Sequence, residues 1–148
     1  MNDLDILSLE PLLAYCQARE VVSWKQTRLP SLGLSEQHAL WREIRPEECW
    51  YNAHLVATRF APHVSYVEGF VIFCDGVVPH GWNTIEGLSF DLTWELHFSR
   101  GLALPRFMLL EGTPQSLAEE GYVFHPNVMT MVDQYRQRSR CPSPTTEK

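Results

Sequence analysis

Apolar side chains recur at roughly helical spacing through residues 4–18, at Leu4, Leu7, Leu12, Leu13 and Cys16, with Pro11 tolerable near a helix start. This predicts one helix or two short ones. Val21-Val22-Ser23-Trp24 follows as a short strand or an extended approach, and Arg28 to Leu34, with Pro30 and Gly33, reads as loop. Ser35 is placed to cap a short helix over 36–42. Arg45-Pro46-Glu47-Glu48 is a second helix start, with proline in the first turn and acids at the positive end of the dipole. Tyr51, Leu55, Val56 and Phe60 carry that helix to about residue 60, where Pro62 ends it.

The pattern then changes. From Val64 to Cys74 the residues are β-branched or aromatic with one glycine, which predicts a central strand closed by the Asp75-Gly76 turn. His80 to Ile85 forms the next strand, Glu86-Gly87 the turn, and Leu88 to Trp94 the third. A further strand is expected from Arg106 to Leu110, a short helix opening at Thr113-Pro114, and a last helix from Asn127 to Arg138. Helices followed by antiparallel strands give an α+β fold, in which a helix beginning near Cys49 packs on the sheet. No internal repeat or linker divides the chain. Residues 1–140 are expected to form one domain, and the Ser/Thr/Pro-rich end, 141–148, a frayed tail.

Composition narrows the function classes. An apolar content of 45% with 20% charged residues is that of a globular chain. The formal charge of −6 argues against a nucleic-acid binder, which needs a basic face to displace counterions. No apolar run has the length of a membrane span, and the acidic Met-Asn-Asp-Leu-Asp start is unlike a signal peptide, so a cytoplasmic site is expected. Cys16, Cys49, Cys74 and Cys141 show no CxxC pairing, which disfavours a zinc ribbon and, in a reducing compartment, structural disulfides. Cys16 and Cys74 fall in apolar patterns and read as core, and Cys141 falls in the polar tail.

Only Cys49 has the setting of a nucleophile. A thiol attacks as thiolate, and a helix N-terminus favours the anion through unpaired amides that can also hold an oxyanion. Such a thiol needs a histidine to carry its proton and an acid to orient that histidine. His80 and Asp91 lie on either side of the Glu86-Gly87 hairpin turn, where adjacent strands bring residues together if both face the same side. Glu47 and Glu48 oppose a thiolate beside them unless they point to solvent.

The stretches Cys49-Trp50-Tyr51-Asn52-Ala53, Tyr66-Val67-Glu68-Gly69-Phe70, His80-Gly81-Trp82 and Asp91-Leu92-Thr93-Trp94, in that order, resemble the core of transglutaminase-like and papain-like cysteine enzymes. The resemblance covers residues 46–95, about a third of the chain. It implies Cys49 as nucleophile, His80 as general base and acid, and Asp91 as orienting group, in a small bacterial or phage-type member of that superfamily. Gly81 stands where alanine is common, Leu92 where proline is common, and the usual glycine before the nucleophile is absent.

Around this triple, Gln26 or Trp24 is a candidate second oxyanion donor. Asn52 is a candidate to line the pocket, with packing or capping as its alternative, and Glu68 is either a binding group or a structural partner. Trp82 is a candidate wall of the site or plain core, and Asn83 is the runner-up orienter. His54, His63, His97 and His125 show no metal-ligand spacing, so neither metal nor cofactor is expected. The expected function is cleavage or transfer at an amide or related acyl bond through a thioester. The substrate would be a protein, a peptide or a small amide, with a possible protein partner and no role for nucleic acid or membrane. The alternative is an inactive member of the fold, acting as an interaction module through Trp24, Trp41, Trp50 and Tyr51.

Overall fold

The computed structural model describes residues 9–21, 34–73, 76–97, 104–122 and 127–140. Its elements are α1 (Leu9–Cys16), β1 (Arg19–Val21), α2 (Leu34–Glu43), α3 (Cys49–Arg59), β2 (Val64–Phe73), β3 (Gly76–Ile85), β4 (Leu88–Phe90), α4 (Leu92–His97), β5 (Arg106–Gly112), α5 (Pro114–Glu119) and α6 (Asn127–Arg140). The α+β reading holds: the three consecutive strands expected are β2, β3 and β4, the further one is β5, and with β1 they form a five-stranded sheet in the order β1-β5-β2-β3-β4, all pairs antiparallel. Residues 22–24, the Cys74 core position and the 141–148 tail lie outside the described residues.

Alternation along β2 sorts the core into two sides. Tyr66 and Phe70 face the helices, Tyr66 in a cluster with Val56, Ala57 and Leu117, and Phe70 in one with Leu12, Cys16, Val128 and Val132. Val67 and Val71 face the other way, with Trp82, Met108 and Trp94. Gly69 sits where β2 shifts register against β5. A side chain there would stand 2.1 Å from the Phe107 carbonyl oxygen, so only glycine permits the strands to approach.

The Glu86-Gly87 turn forms with both residues at positive φ, joining Ile85 to Leu88 as a two-residue hairpin. Several boundaries differ from the sequence reading, β3 beginning at Gly76 and not at His80. The third strand ends at Phe90, because Asp91 begins α4 instead of continuing β4: its Oδ1 accepts from the Trp94 N–H and its carbonyl from the Glu95 N–H. This is N-capping by an aspartate, and it overrides the strand-like look of Phe90-Asp91-Leu92-Thr93-Trp94. α2 begins at Leu34, so Ser35 lies inside the helix and not at its cap. Thr113 does cap α5, its hydroxyl accepting from the Ser116 N–H.

Candidate active site

Cys49 is the first residue of α3. The helix starts there, not at Pro46, because Pro46 and Glu47 form a turn with Glu47 at φ 64° and Glu48 occupies the N-cap. Glu48 makes no side-chain cap, so the first amides of α3 are left without that partner beside the thiol. Its carboxylate turns outward to Arg45, both being exposed, and Glu47 is exposed as well. The negative charge set against the thiol in the sequence therefore points to solvent.

Asn52, one turn further on, fixes this approach. Its Oδ1 accepts from the Arg45 N–H at 2.9 Å, and its Nδ2 donates to the Arg45 carbonyl at 2.7 Å and to Thr93 Oγ1 at 2.8 Å. The amide thus stitches the turn before Cys49 to the segment just after Asp91. It is buried, and this work occupies it fully, so it does not line a pocket.

Strand β3 brings His80 to the same place. β4 pairs with β3 only at Asn83–Ile85, and Asp91 lies one residue past the end of β4. His80 Nε2 and Asp91 Oδ2 are 2.6 Å apart, with both residues almost wholly buried. An ionised carboxylate only accepts, so Nε2 carries the hydrogen and Nδ1 is the ring nitrogen that Asp91 leaves over, while the Cys49 thiol is near enough to the ring to raise its basicity. Burial alone would lower the basicity of His80. The Asp91 charge and hydrogen bond, with the Cys49 contact, outweigh it and push His80 up to about 9. Burial likewise works against the Asp91 anion, but His80 and Arg106 hold its carboxyl below the ordinary range.

Arg106 is the member that sequence reading missed. Its Nη1 donates to Asp91 Oδ2 at 2.8 Å, and the residue is buried. The guanidinium lies 5.2 Å from the Trp82 ring and 5.4 Å from that of Trp94. His80 shares the same two indoles, stacked on Trp82 at 6.2 Å and tilted on Trp94 at 4.4 Å. An arginine opening an apolar strand reads as an exposed end. The available signal was its two-residue spacing from Met108, which puts both on the face that holds Trp82.

Trp82 is buried with its ring stacked beside the His80 imidazole, and its Nε1 donates to Ser89 Oγ. Asn83 is not the orienter, since one residue along a strand reverses the face. Its Nδ2 donates to the carbonyls of Ala53 and Ser65, tying α3 to the sheet. Glu68 is not a binding group. It is fully buried and accepts from the Tyr66 hydroxyl, Asn127 Nδ2 and the Val128 N–H, so it anchors the start of α6. Trp24 and Gln26 lie outside the described residues. Of the aromatic residues weighed as a docking surface, Trp41 and Trp50 are half-buried against the core clusters, and Tyr51 lies under the Arg45 guanidinium at 4.1 Å.

Gly81, an unexpected residue beside His80, has a structural reason. A Cβ there would lie 2.8 Å from Trp50 Cε3 and 3.4 Å from the Cys49 carbonyl oxygen, so the start of α3 packs where a side chain would be. Among the described residues no helix is long and apolar enough to cross a membrane. Comparison with protein-family models, with curated proteins and with solved structures returned no match.

Proposed function

We propose that this protein is a cysteine-dependent enzyme of transglutaminase-like type, acting on an amide or related acyl bond through a thioester. The observation that carries the reading is that Cys49, the first residue of α3, lies near enough to act on a buried His80 that Asp91 holds by Nε2. The order thiol, imidazole, carboxylate is the one nucleophilic catalysis requires.

In this reading His80 takes the Cys49 proton and the sulfur attacks the acyl carbon, the carbonyl π pair moving onto oxygen. The amides at the start of α3, which no side chain caps, would donate to that oxyanion. Collapse breaks the bond to the leaving amine, which takes the proton from the imidazolium, and a thioester remains on Cys49. Water or an amine then attacks with His80 as base, releasing the acyl product and restoring the thiol. Hydrolysis and transfer share every group named here and differ only in the acceptor. Trp82 and Trp94 cover the imidazole and keep bulk water from it.

The test is the iodoacetamide reaction of the intact protein across pH, with each labelled cysteine identified by mass, in wild type and His80→Ala. The expected result is rapid labelling of Cys49 well below pH 8 that disappears in His80→Ala. Labelling of Cys49 no faster than an ordinary thiol overturns the proposal and leaves the inactive interaction module as the working description.

A further inference from the structure

Asp91 Oδ2 receives two cationic groups, the His80 ring at 2.6 Å and the Arg106 guanidinium at 2.8 Å, while Oδ1 is taken by the Trp94 N–H. A carboxylate that served only to raise the basicity of its histidine would need no second cation. Buried arginines are costly to keep, and this one is wedged against the same two indoles that flank the imidazole. The four groups alternate in sign once the thiol proton has moved: thiolate, imidazolium, carboxylate, guanidinium. Their sum is zero, whereas the same array without Arg106 would bury a net negative charge.

We infer that Arg106 is a fourth, positioning member of the site, keeping Asp91 ionised while holding down the hold of His80 on its proton. The inference rests on the cysteine-enzyme reading for its purpose. A histidine that must protonate a leaving group near neutral pH is hindered by an unopposed buried carboxylate, which binds the imidazolium too well. Arg106 opposes it. The two contacts end to end put the guanidinium within about 5.4 Å of Nε2, where a like charge disfavours the imidazolium by about one pH unit or more. Among the described residues, the titratable or charged groups facing the ring are Asp91 before α4, Cys49 on α3 and, through Asp91, Arg106 on β5. Glu68 on the neighbouring β2 is committed to Tyr66 and the start of α6.

The experiment is a histidine NMR titration of the full chain in a Cys49→Ala background, with His80 assigned by its loss in His80→Gln. Arg106→Gln is expected to raise the His80 midpoint by about one pH unit, because removing a cation makes the His80–Asp91 pair bind its proton more tightly. Arg106→Lys, which keeps the charge and loses the planar fork, is expected to restore at least half of that shift. A purely structural arginine would cost both variants stability and leave the midpoint where it was. An unmoved midpoint in folded Arg106→Gln, or equal shifts in the Gln and Lys variants, overturns the inference.

If Arg106→Gln does not fold, the Arg106-intact protein still decides the matter. The Arg106 guanidinium resonances should titrate with the His80 midpoint, and resonances that ignore it overturn the coupling. Because Cys49 is absent from these samples, slow labelling of Cys49 would sink the enzyme reading alone, and an unmoved His80 midpoint the Arg106 inference alone.

Discussion

The raised basicity of His80 makes a pH-dependent contribution to stability whose sign and window follow from the site. In the unfolded chain the imidazole titrates near 6.5, and in the folded protein at about 9, held up by Asp91 against burial. A group with a raised folded value stabilises the fold fully below its unfolded value and loses that contribution as pH rises through the folded one. The separation corresponds to about 3 kcal/mol, most of it still present at pH 7 and gone a little above pH 9. The assay is urea unfolding at intervals from pH 6 to 9.5 for wild type and His80→Gln. Cys16, whose thiol burial pushes up to about 11, and Tyr66, raised first by burial and then by Glu68, also lose stabilising influence toward alkaline pH. They do so equally in both proteins, so the difference curve isolates His80. Wild type should lose about 3 kcal/mol more than His80→Gln across the window. Parallel curves would refute the buried imidazolium–carboxylate pair. Asp91 works in the other direction: with a lowered folded value, its contribution is lost as pH falls through that value.

Gly81→Ala should destabilise the protein by about 1–3 kcal/mol, because the new methyl meets Trp50 at 2.8 Å. Trp50→Leu in the same chain should recover part of the loss, and a double-mutant cycle of thermal unfolding with no coupling would refute the contact. Asn52→Ala removes three hydrogen bonds that join the Arg45 turn to Thr93. It should cost about 2–3 kcal/mol in urea unfolding and slow iodoacetamide labelling of Cys49, whereas wild-type stability would contradict the stitching role.

The legible parts of this molecule were those written in local chemistry. The β-branched run from Val64 marked β2, the Glu86-Gly87 pair marked the hairpin, and Thr113-Pro114 marked the start of α5, because each depends on its own few residues. His80 and Asp91 could be read as neighbours because their spacing straddles one hairpin. Asp91 itself was misread as strand, since an aspartate inside an apolar stretch looks like alternation until its carboxylate is seen to cap α4. Arg106 was only half legible, for a different reason. Its spacing from Met108 sets the face it shares, but its partner is supplied only when β5 lies beside β2, a pairing between residues far apart in sequence. The duties of Asn52, Glu68 and Asn83 are hidden in the same way, each polar side chain being consumed by a backbone group in another element.

The strand order has a consequence for the growing chain. β5, which carries Arg106, lies between β1 and β2, although it follows both of them and β3 and β4 in synthesis. A nascent polypeptide halted before β5 already contains Cys49, His80 and Asp91, yet β1 has no neighbour to join and Asp91 lacks its guanidinium. Among the described strands the last to emerge is therefore also the one that brings the guanidinium to Asp91, so the buried charge around that carboxylate is balanced only once β5 has inserted between its neighbours.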